Sequence, residues 1–520
     1  MASTSIYGSK SPDRTHILTI LGLITLFKVL VHLIVNATAA YGYFRDEFYY
    51  LACSDHLAWG YVDQPPFSIL MLKLSSFLFG ESLWAIRIFP ALAGAGVIFI
   101  TGLIAMKLGG KLFEVVLAAL TVFIAPIFLA MNGYYSMNSF DHLFWVAGVY
   151  VVMLILDKPS LNLWIVLGLI LGLGLMNKIS VLWLGAGVFM GLVFTLNRRL
   201  LLTKGPYIAA GIALLIFLPY LIWQHVYDWP LLEFIQNASS NKYVENSAFD
   251  FASEATMMIH PFNFLVWVIG LGFFLFHRNG KKYRLVGIIF LTVFLILVSN
   301  KTSKAEYLAP AFPMLLAGGA VLIGKWINEK LAWARTAIVF LIVVGGVLTA
   351  PLVVPVLPVE KYIGYAKALG EEPSTSEKKE VGPLPQFYAD MHGWKNMAIE
   401  VSRVYEGLSD AEKKNSVVFG QNYGEAGAIN FYRRKYPLPR AISGHNNYWI
   451  WGPGEISKDI VVIILGSNLK DNSKIFEQVE QKGTVVCKYA MPYESNLPIF
   501  VARNPKVSLE EIWPELKHYD

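Results

Sequence analysis

Long apolar runs, separated by short basic or turn-rich segments, fill the first two thirds of this 520-residue chain. About 18 or more such residues suffice to cross a bilayer as a helix. Windows of that length or slightly shorter lie at 15–38, 84–106, 112–131, 138–156, 161–176, 178–196, 206–223, 260–277, 283–299, 306–323 and 333–355, which predicts eleven spans. Only Met176-Asn177-Lys178 separates the fifth from the sixth, so broken or tilted helices are expected there. Beyond residue 355 the pattern changes. Ser416–Gly420, Asp459–Leu465, Thr484–Tyr489 and Pro498–Ala502 are strand-length β-branched or aliphatic runs, and Trp394–Leu408 and Ser473–Gln481 have helical apolar spacing. The predicted architecture is a polytopic α-helical membrane part, 1–355, with outer loops 39–83 and 224–259, followed by a soluble α/β domain, 356–520.

Composition supports that division. Of the 165 residues from Val356 onward 41 are charged, against 39 in the first 355. The front part carries a net +7 and the tail −1, so the basic balance reflects loops beside a membrane and not a nucleic-acid surface. With the N-terminus inside, fifteen Lys and Arg, from Lys10 and Arg14 to Arg335, fall on the cytoplasmic side and seven on the other. By the positive-inside rule this orientation places the tail outside, in the periplasm of a bacterium. The first apolar run lacks an A-x-A cleavage site and is expected to be retained. Only Cys53 and Cys487 are present, which excludes a disulfide framework and leaves their pairing open. The Glu371–Glu380 stretch reads as a charged surface loop. Gly420-Gln-Asn-Tyr-Gly424-Glu-Ala-Gly427 follows a predicted strand but lacks the Lys-Ser/Thr of a P-loop, so a tight turn is expected.

Polar chemistry gathers on the outer side. Tyr41-Gly-Tyr-Phe-Arg-Asp46-Glu47-Phe-Tyr49-Tyr50-Leu-Ala-Cys53 follows the first span and leads to Trp59-Gly60 and Tyr61-Val-Asp-Gln64-Pro65-Pro66-Phe67. On a helix, Asp46, Tyr49, Tyr50 and Cys53 share one face and Glu47 lies about 100° away. That divergence suits one catalytic and one structural carboxylate; an interfacial helix with aromatic anchors accounts for it equally. Asp141 and His142 open the fourth span, where Asn138 or Ser139 could cap the helix. Lys178, Lys301 and Lys304 run against the positive-inside bias, and Lys suits phosphate oxygens; snorkelling to lipid headgroups explains any one of them as well. His225 and His260 form no metal motif, and a divalent metal is left open.

This ordered set resembles bacterial members of glycosyltransferase family 39 and the related aminoarabinose transferases. The resemblance rests on Arg45-Asp46-Glu47-Phe-Tyr49-Tyr50, Gly60, Gln64-Pro65-Pro66, Asp141, Lys178 and Tyr307-Leu-Ala-Pro310 with Pro313, and covers about 15–325 in layout. It implies the C-type glycosyltransferase fold and sugar transfer from a polyprenyl-phosphate donor to an acceptor on the outer face of the bacterial inner membrane. The acceptor would be a glycolipid, a polysaccharide or a protein. It further implies Asp46 as general base in an inverting displacement, with Glu47 beside it orienting the acceptor or holding the loop. Lys178, Lys304 and Tyr307 would hold the donor phosphate. Asp141, His142, Tyr49, Tyr50 and Trp59 would line the acceptor or sugar site. No catalytic role transfers to the tail, including Gly444-His-Asn-Asn-Tyr-Trp-Ile-Trp-Gly452. A transporter or flippase of lipid-linked saccharides would also use intramembrane charges, but such proteins usually show repeated halves and a midplane site, and the sequence contains no visible repeat. A sensor anchored by its helices would not need eleven of them.

Overall fold

The computed structural model describes residues 14–455, 457 and 459–520; Lys10, counted above for orientation, lies outside them. A helix occupies every one of the eleven predicted windows. Six are long and apolar enough to cross a membrane: Arg14–Thr38, Ile88–Lys107, Met137–Asp157, Gly205–Val226, Lys281–Ser299 and Glu329–Val353. The number becomes nine if each of three bent pairs counts as one span. Leu112–Ile124 and Leu161–Leu175 are shorter apolar helices. The chain is thus a multi-pass membrane protein, and some of its helices are cut short by identifiable breaks. Pro126 starts a new helix at Pro126–Met131 and ends Leu112–Ile124 at Ala125. His260, at φ 89°, and Pro261 bend Ala248–Ile259 against Pro261–Leu275 by 100°.

Small residues let these helices approach closely, as expected where lipid supplies no hydrophobic drive between them. A Cβ on Gly270 would collide with the Leu315 carbonyl, and one on Gly319 with that of Val266. Phe264–Leu275 and Pro313–Trp326 therefore pack backbone to backbone.

The tail carries a five-stranded sheet in the order β2-β1-β3-β5-β4, with β1 Ser416–Phe419, β2 Ala441–Ile442, β3 Val461–Leu465, β4 Phe476–Val485 and β5 Leu497–Pro505. β1 runs parallel to β2 and β3, and β5 runs antiparallel to β3 and β4. The expected helix at Ser473–Gln481 is corrected: the helix is Leu469–Ile475, and Phe476–Val485 is an edge strand. Its Glu477, Gln478, Glu480, Gln481 and Lys482 are exposed, so the apolar spacing there was too sparse to bury a helix face, and the polar residues blunt an open edge.

The tail is not packed on itself alone. Phe48 stacks edge-on against Trp394 and Phe431, at 5.7 and 5.6 Å. A Cβ on Gly427 would meet the Phe48 carbonyl oxygen at 3.1 Å, so helix Tyr423–Tyr432 lies directly on helix Arg45–Asp55. The amides of Gly42 and Arg45 donate to the carbonyls of Met391 and Asp390, at 3.1 and 2.9 Å. One apolar core thus joins the first outer loop to the tail and fixes the loop's helix from both sides. Cys53 and Cys487 are both free, and Cys53 is buried.

Candidate active site

Helix Arg45–Asp55 begins after Phe44, whose amide donates to Glu47 Oε2 at 2.8 Å. From there its two acidic residues diverge as the 100° offset requires. Glu47 is fully buried. Its carboxylate takes both arms of Arg87, Nε and Nη2, at 2.7 Å each, and the Tyr135 amide at 2.7 Å. Nη1 of Arg87 continues to Asn36 Oδ1 at 3.0 Å. This two-point ion pair ties the first span, the first outer loop and the fourth helix region together, with its acceptor sites filled. Glu47 lines none of the cavity that Asp46 faces, and of the two roles expected of it, orienting the acceptor or holding the loop, its contacts fit the second.

Asp46 turns the other way, onto a cavity of about 300 Å³. Its Oδ1 accepts the Tyr423 hydroxyl at 2.8 Å and lies 3.4 Å from Arg45 Nε. The cavity is also lined by Tyr49, Tyr50, Lys178, Lys304 and Tyr307, so six of the ten sequence-nominated residues meet there. Lys178 Nζ donates to Asn138 Oδ1 at 2.6 Å and lies 4.9 Å from the centre of the Tyr307 ring. Lys304 Nζ lies 4.7 Å over the Tyr243 ring. Among the described residues neither lysine is paired with a carboxylate. Burial opposes the charge of Lys304, but Glu306, Tyr243 and Glu377 outweigh it and raise its pKa. One wall is apolar, from Ile179, Trp183, Leu231, Phe234 and Ile235. A lining that is charged and aromatic in part and apolar in part can receive a charged head and an apolar chain together.

The remaining nominated residues lie elsewhere. Asp141 is buried one layer behind the wall, where its Oδ1 accepts the Ser180 hydroxyl at 2.7 Å. His142 is buried edge-on to Phe128, ring centres 5.0 Å apart. Trp59 is 62% exposed and lines no part of the cavity. The cap of the Met137–Asp157 helix is Ser136, not Asn138 or Ser139.

Several cavity residues escaped the sequence reading. Asp63 lies within the Tyr61–Phe67 motif; burial lifts its pKa to about 6, although the Tyr49 hydroxyl, 3.0 Å away, works against that. Glu377 comes from the supposed surface loop. It is buried, 3.6 Å from Arg45 and 3.9 Å from Lys242, and these cations with Lys304 hold its pKa down against the burial that would raise it. An isolated bridge from Tyr243 to Glu377 stitches that loop to the second outer segment. Tyr423, Asn446 and Asp520 arrive from the tail. Asn447 Oδ1 accepts the Val62 amide at 2.7 Å and lies 2.9 Å from the Tyr49 hydroxyl, which gives the Gly444–Gly452 motif a role as scaffold. The Gly420–Gly427 turn keeps its helix-start amides for its own side chains: Asn422 accepts from Gly424 and Glu425 at 2.8 and 3.0 Å, and Glu425 accepts from Gln421 at 2.7 Å.

Residues 63–223 match the model of the dolichyl-phosphate-mannose-protein mannosyltransferase family. No curated protein sequence matches the chain. Among solved structures it is similar to ArnT from Cupriavidus metallidurans bound to undecaprenyl phosphate, with a TM-score of 0.57 at 14% identity over 94% of this chain and 98% of that one. It is also similar to the Archaeoglobus fulgidus oligosaccharyltransferase, with a TM-score of 0.53 at 12% identity, covering 80% of this chain and 64% of that one. At these identities the likeness speaks for the fold. The chain has the C-type glycosyltransferase fold, as the resemblance of its outer-loop motifs implied.

Proposed function

We propose that the chain is a membrane glycosyltransferase that moves a sugar from a polyprenyl-phosphate donor to an acceptor hydroxyl on the outer face of the bacterial inner membrane. One observation carries the reading: Asp46, and not Glu47, lines the cavity, and it shares that cavity with Lys178 and Lys304, two cations that have no carboxylate partner among the described residues. The ArnT structure bound to undecaprenyl phosphate supports a donor of that class.

The chemistry follows from the residue types. As the acceptor oxygen forms its bond to the anomeric carbon, the carbon–oxygen bond to phosphate breaks on the opposite side, which inverts the centre. Asp46 accepts the acceptor proton, held in place by the Tyr423 hydroxyl and Arg45. The departing phosphate gains negative charge beside Lys178 and Lys304, and fixed cations in a confined site stabilise charge that grows in the transition state. Tyr49 and Tyr50 offer aromatic surface to the sugar, and the Leu231–Ile235 wall offers apolar surface to the prenyl chain.

The test is transfer from a panel of polyprenyl-phosphate sugars to a membrane-lipid and glycan acceptor extract, comparing the native protein with Asp46→Asn. Turnover confined to the native protein supports the reading; undiminished turnover in the variant removes Asp46 as the base. A transporter would instead move lipid-linked saccharide across proteoliposomes without making a new glycosidic bond.

A further inference from the structure

We propose that His445, His518 and Asp520 form a binding site for a divalent metal of the zinc class, at the seam between the tail and the cavity wall. Their ligand atoms all lie within 4.8 Å of one another. The proposal does not depend on glycosyl transfer, and its readout is metal binding.

The backbone brings the two imidazoles together. His445 and His518 form an isolated parallel bridge: the Asn446 amide donates to the His518 carbonyl and the His518 amide to the Gly444 carbonyl, each at 3.0 Å. Their rings stand 4.5 Å apart. His518 Nδ1 lies 3.0 Å from the Leu516 carbonyl, which can only accept. The proton therefore sits on Nδ1 and leaves Nε2 with a free lone pair, the arrangement that outer partners impose on metal-ligating histidines. His445 Nε2 is 3.3 Å from Asp520 Oδ1. A tetrahedral ion with bonds of about 2.0–2.1 Å sets its ligands about 3.3–3.4 Å apart, so this edge has the required length already. Two imidazoles and a carboxylate suit zinc better than magnesium, which prefers oxygen throughout.

A second observation stands apart from the cluster. The adjacent Asn446 is 1% exposed, lines the cavity with Asp520, and has no hydrogen-bond partner on either Oδ1 or Nδ2. It also holds φ at 47°, a strained value for a side-chain-bearing residue. Buried amides without partners are rare. A metal with three protein ligands keeps a fourth position for water, and that water would give the amide a partner on the cavity side.

Binding exacts a definite exchange. Without metal, His445 Nε2 lies 2.9 Å from the Asp520 carbonyl and its Nδ1 faces the Tyr423 amide at 3.4 Å. Coordination at Nε2 moves the ring proton to Nδ1 and releases both contacts, the second of them long for such a bond. The nearby cations Arg45 and Lys242 disfavour a third positive charge, but both lie within 4 Å of Glu377. The consequence for the site is positional. The His445 ring packs 4.6 Å from Tyr423, whose hydroxyl donates to Asp46, so the ion would pin residues 516–520 against the wall that holds that carboxylate.

Full-length protein in detergent, stripped with a chelator and titrated with Zn²⁺, is expected to bind one equivalent, with a zinc-edge absorption spectrum showing imidazole ligands. His518→Ala and Asp520→Asn are each expected to weaken binding by at least about tenfold, the lower bound for disturbing a metal's surroundings. Their zinc-free melting temperatures should stay at the native value, which separates ligand loss from misfolding. No saturable zinc binding, equal affinity for Mg²⁺, or native affinity in both variants would overturn the site.

Discussion

The two faces of one short helix, Arg45–Asp55, show what separates a structural carboxylate from a candidate catalytic one. On the face turned to the bundle, Glu47 is fully buried and its acceptor sites are taken by Arg87, Phe44 and Tyr135. On the face turned to the cavity, Asp46 keeps about a third of its side chain exposed and shares its space with lysines that have no carboxylate partner among the described residues. The residues are neighbours in sequence and alike in chemistry. What differs is whether the surrounding charge is already neutralised. A satisfied pair has nothing left to offer a substrate, whereas an unsatisfied set of opposite charges around a cavity can bind one.

The sharpest way to break this comparison is to disturb the satisfied side. Glu47→Gln leaves the Arg87 guanidinium buried without its counter-charge, and removing one partner of a buried pair costs about 3–5 kcal/mol. The variant is expected to melt far below the native protein in detergent, or to fail to accumulate. A near-native melting temperature would mean that the clasp is dispensable.

Asp46→Asn should do the opposite. The amide still accepts the Tyr423 hydroxyl, so the melting temperature is expected within a few degrees of native. Transfer should fall by about 10²–10⁴, the usual contribution of a positioned base, without a matching change in donor KM. Loss of stability in place of activity would make Asp46 a second structural acid.

These contrasts explain how far the sequence could be read. The 100° offset between Asp46 and Glu47 is a local property of a helix, so their divergence was legible from spacing. The apolar windows were legible because span length follows from bilayer thickness. The partners were not. Arg87 lies 40 residues from Glu47, and Tyr423 lies 377 residues from Asp46. Glu377 sits in a stretch with the composition of a surface loop, and only its docking on the second outer segment buries it. Asp141 was nominated by chain position at an outer helix end, yet it does not line the cavity itself and accepts instead from Ser180, which does.

The cations provide the next test. Lys178→Met and Lys304→Met each remove one positive charge from the donor-phosphate region and are expected to lower kcat by about a hundredfold, as loss of one transition-state donor does elsewhere. The double variant should lose less than the product of the two if both lysines act on one phosphate. Unchanged kcat with either lysine removed would assign that residue to the lipid interface.

Asp63 sharpens the comparison through pH. Burial raises its pKa from the ordinary 3.8 to about 6 in the fold. The unfolded chain releases that proton at lower pH, so the folded state holds more protons between about pH 4 and 6 and loses stability as pH rises through that window. The loss amounts to roughly 2–3 kcal/mol above pH 6. Asp63→Asn lacks the titration, so its melting temperature should gain on the native protein from pH 4 to pH 8. A constant difference across that range would show that Asp63 is not desolvated.

Trp59 supplies the smallest effect and the control for the whole contrast. Its sequence context nominated it for sugar stacking, but it is 62% exposed and apart from the cavity. Surface substitutions away from special contacts change stability by about 0.5 kcal/mol or less, and an indole that does not reach the substrate adds nothing to the transition state. Trp59→Ala should therefore leave both melting temperature and transfer rate within about twofold of native, while Tyr49→Ala, inside the cavity, lowers transfer. If Trp59→Ala proved the more damaging of the two, sugar would have to be recognised at the exposed end of the first outer loop, and the cavity around Asp46 would lose its claim to the acceptor.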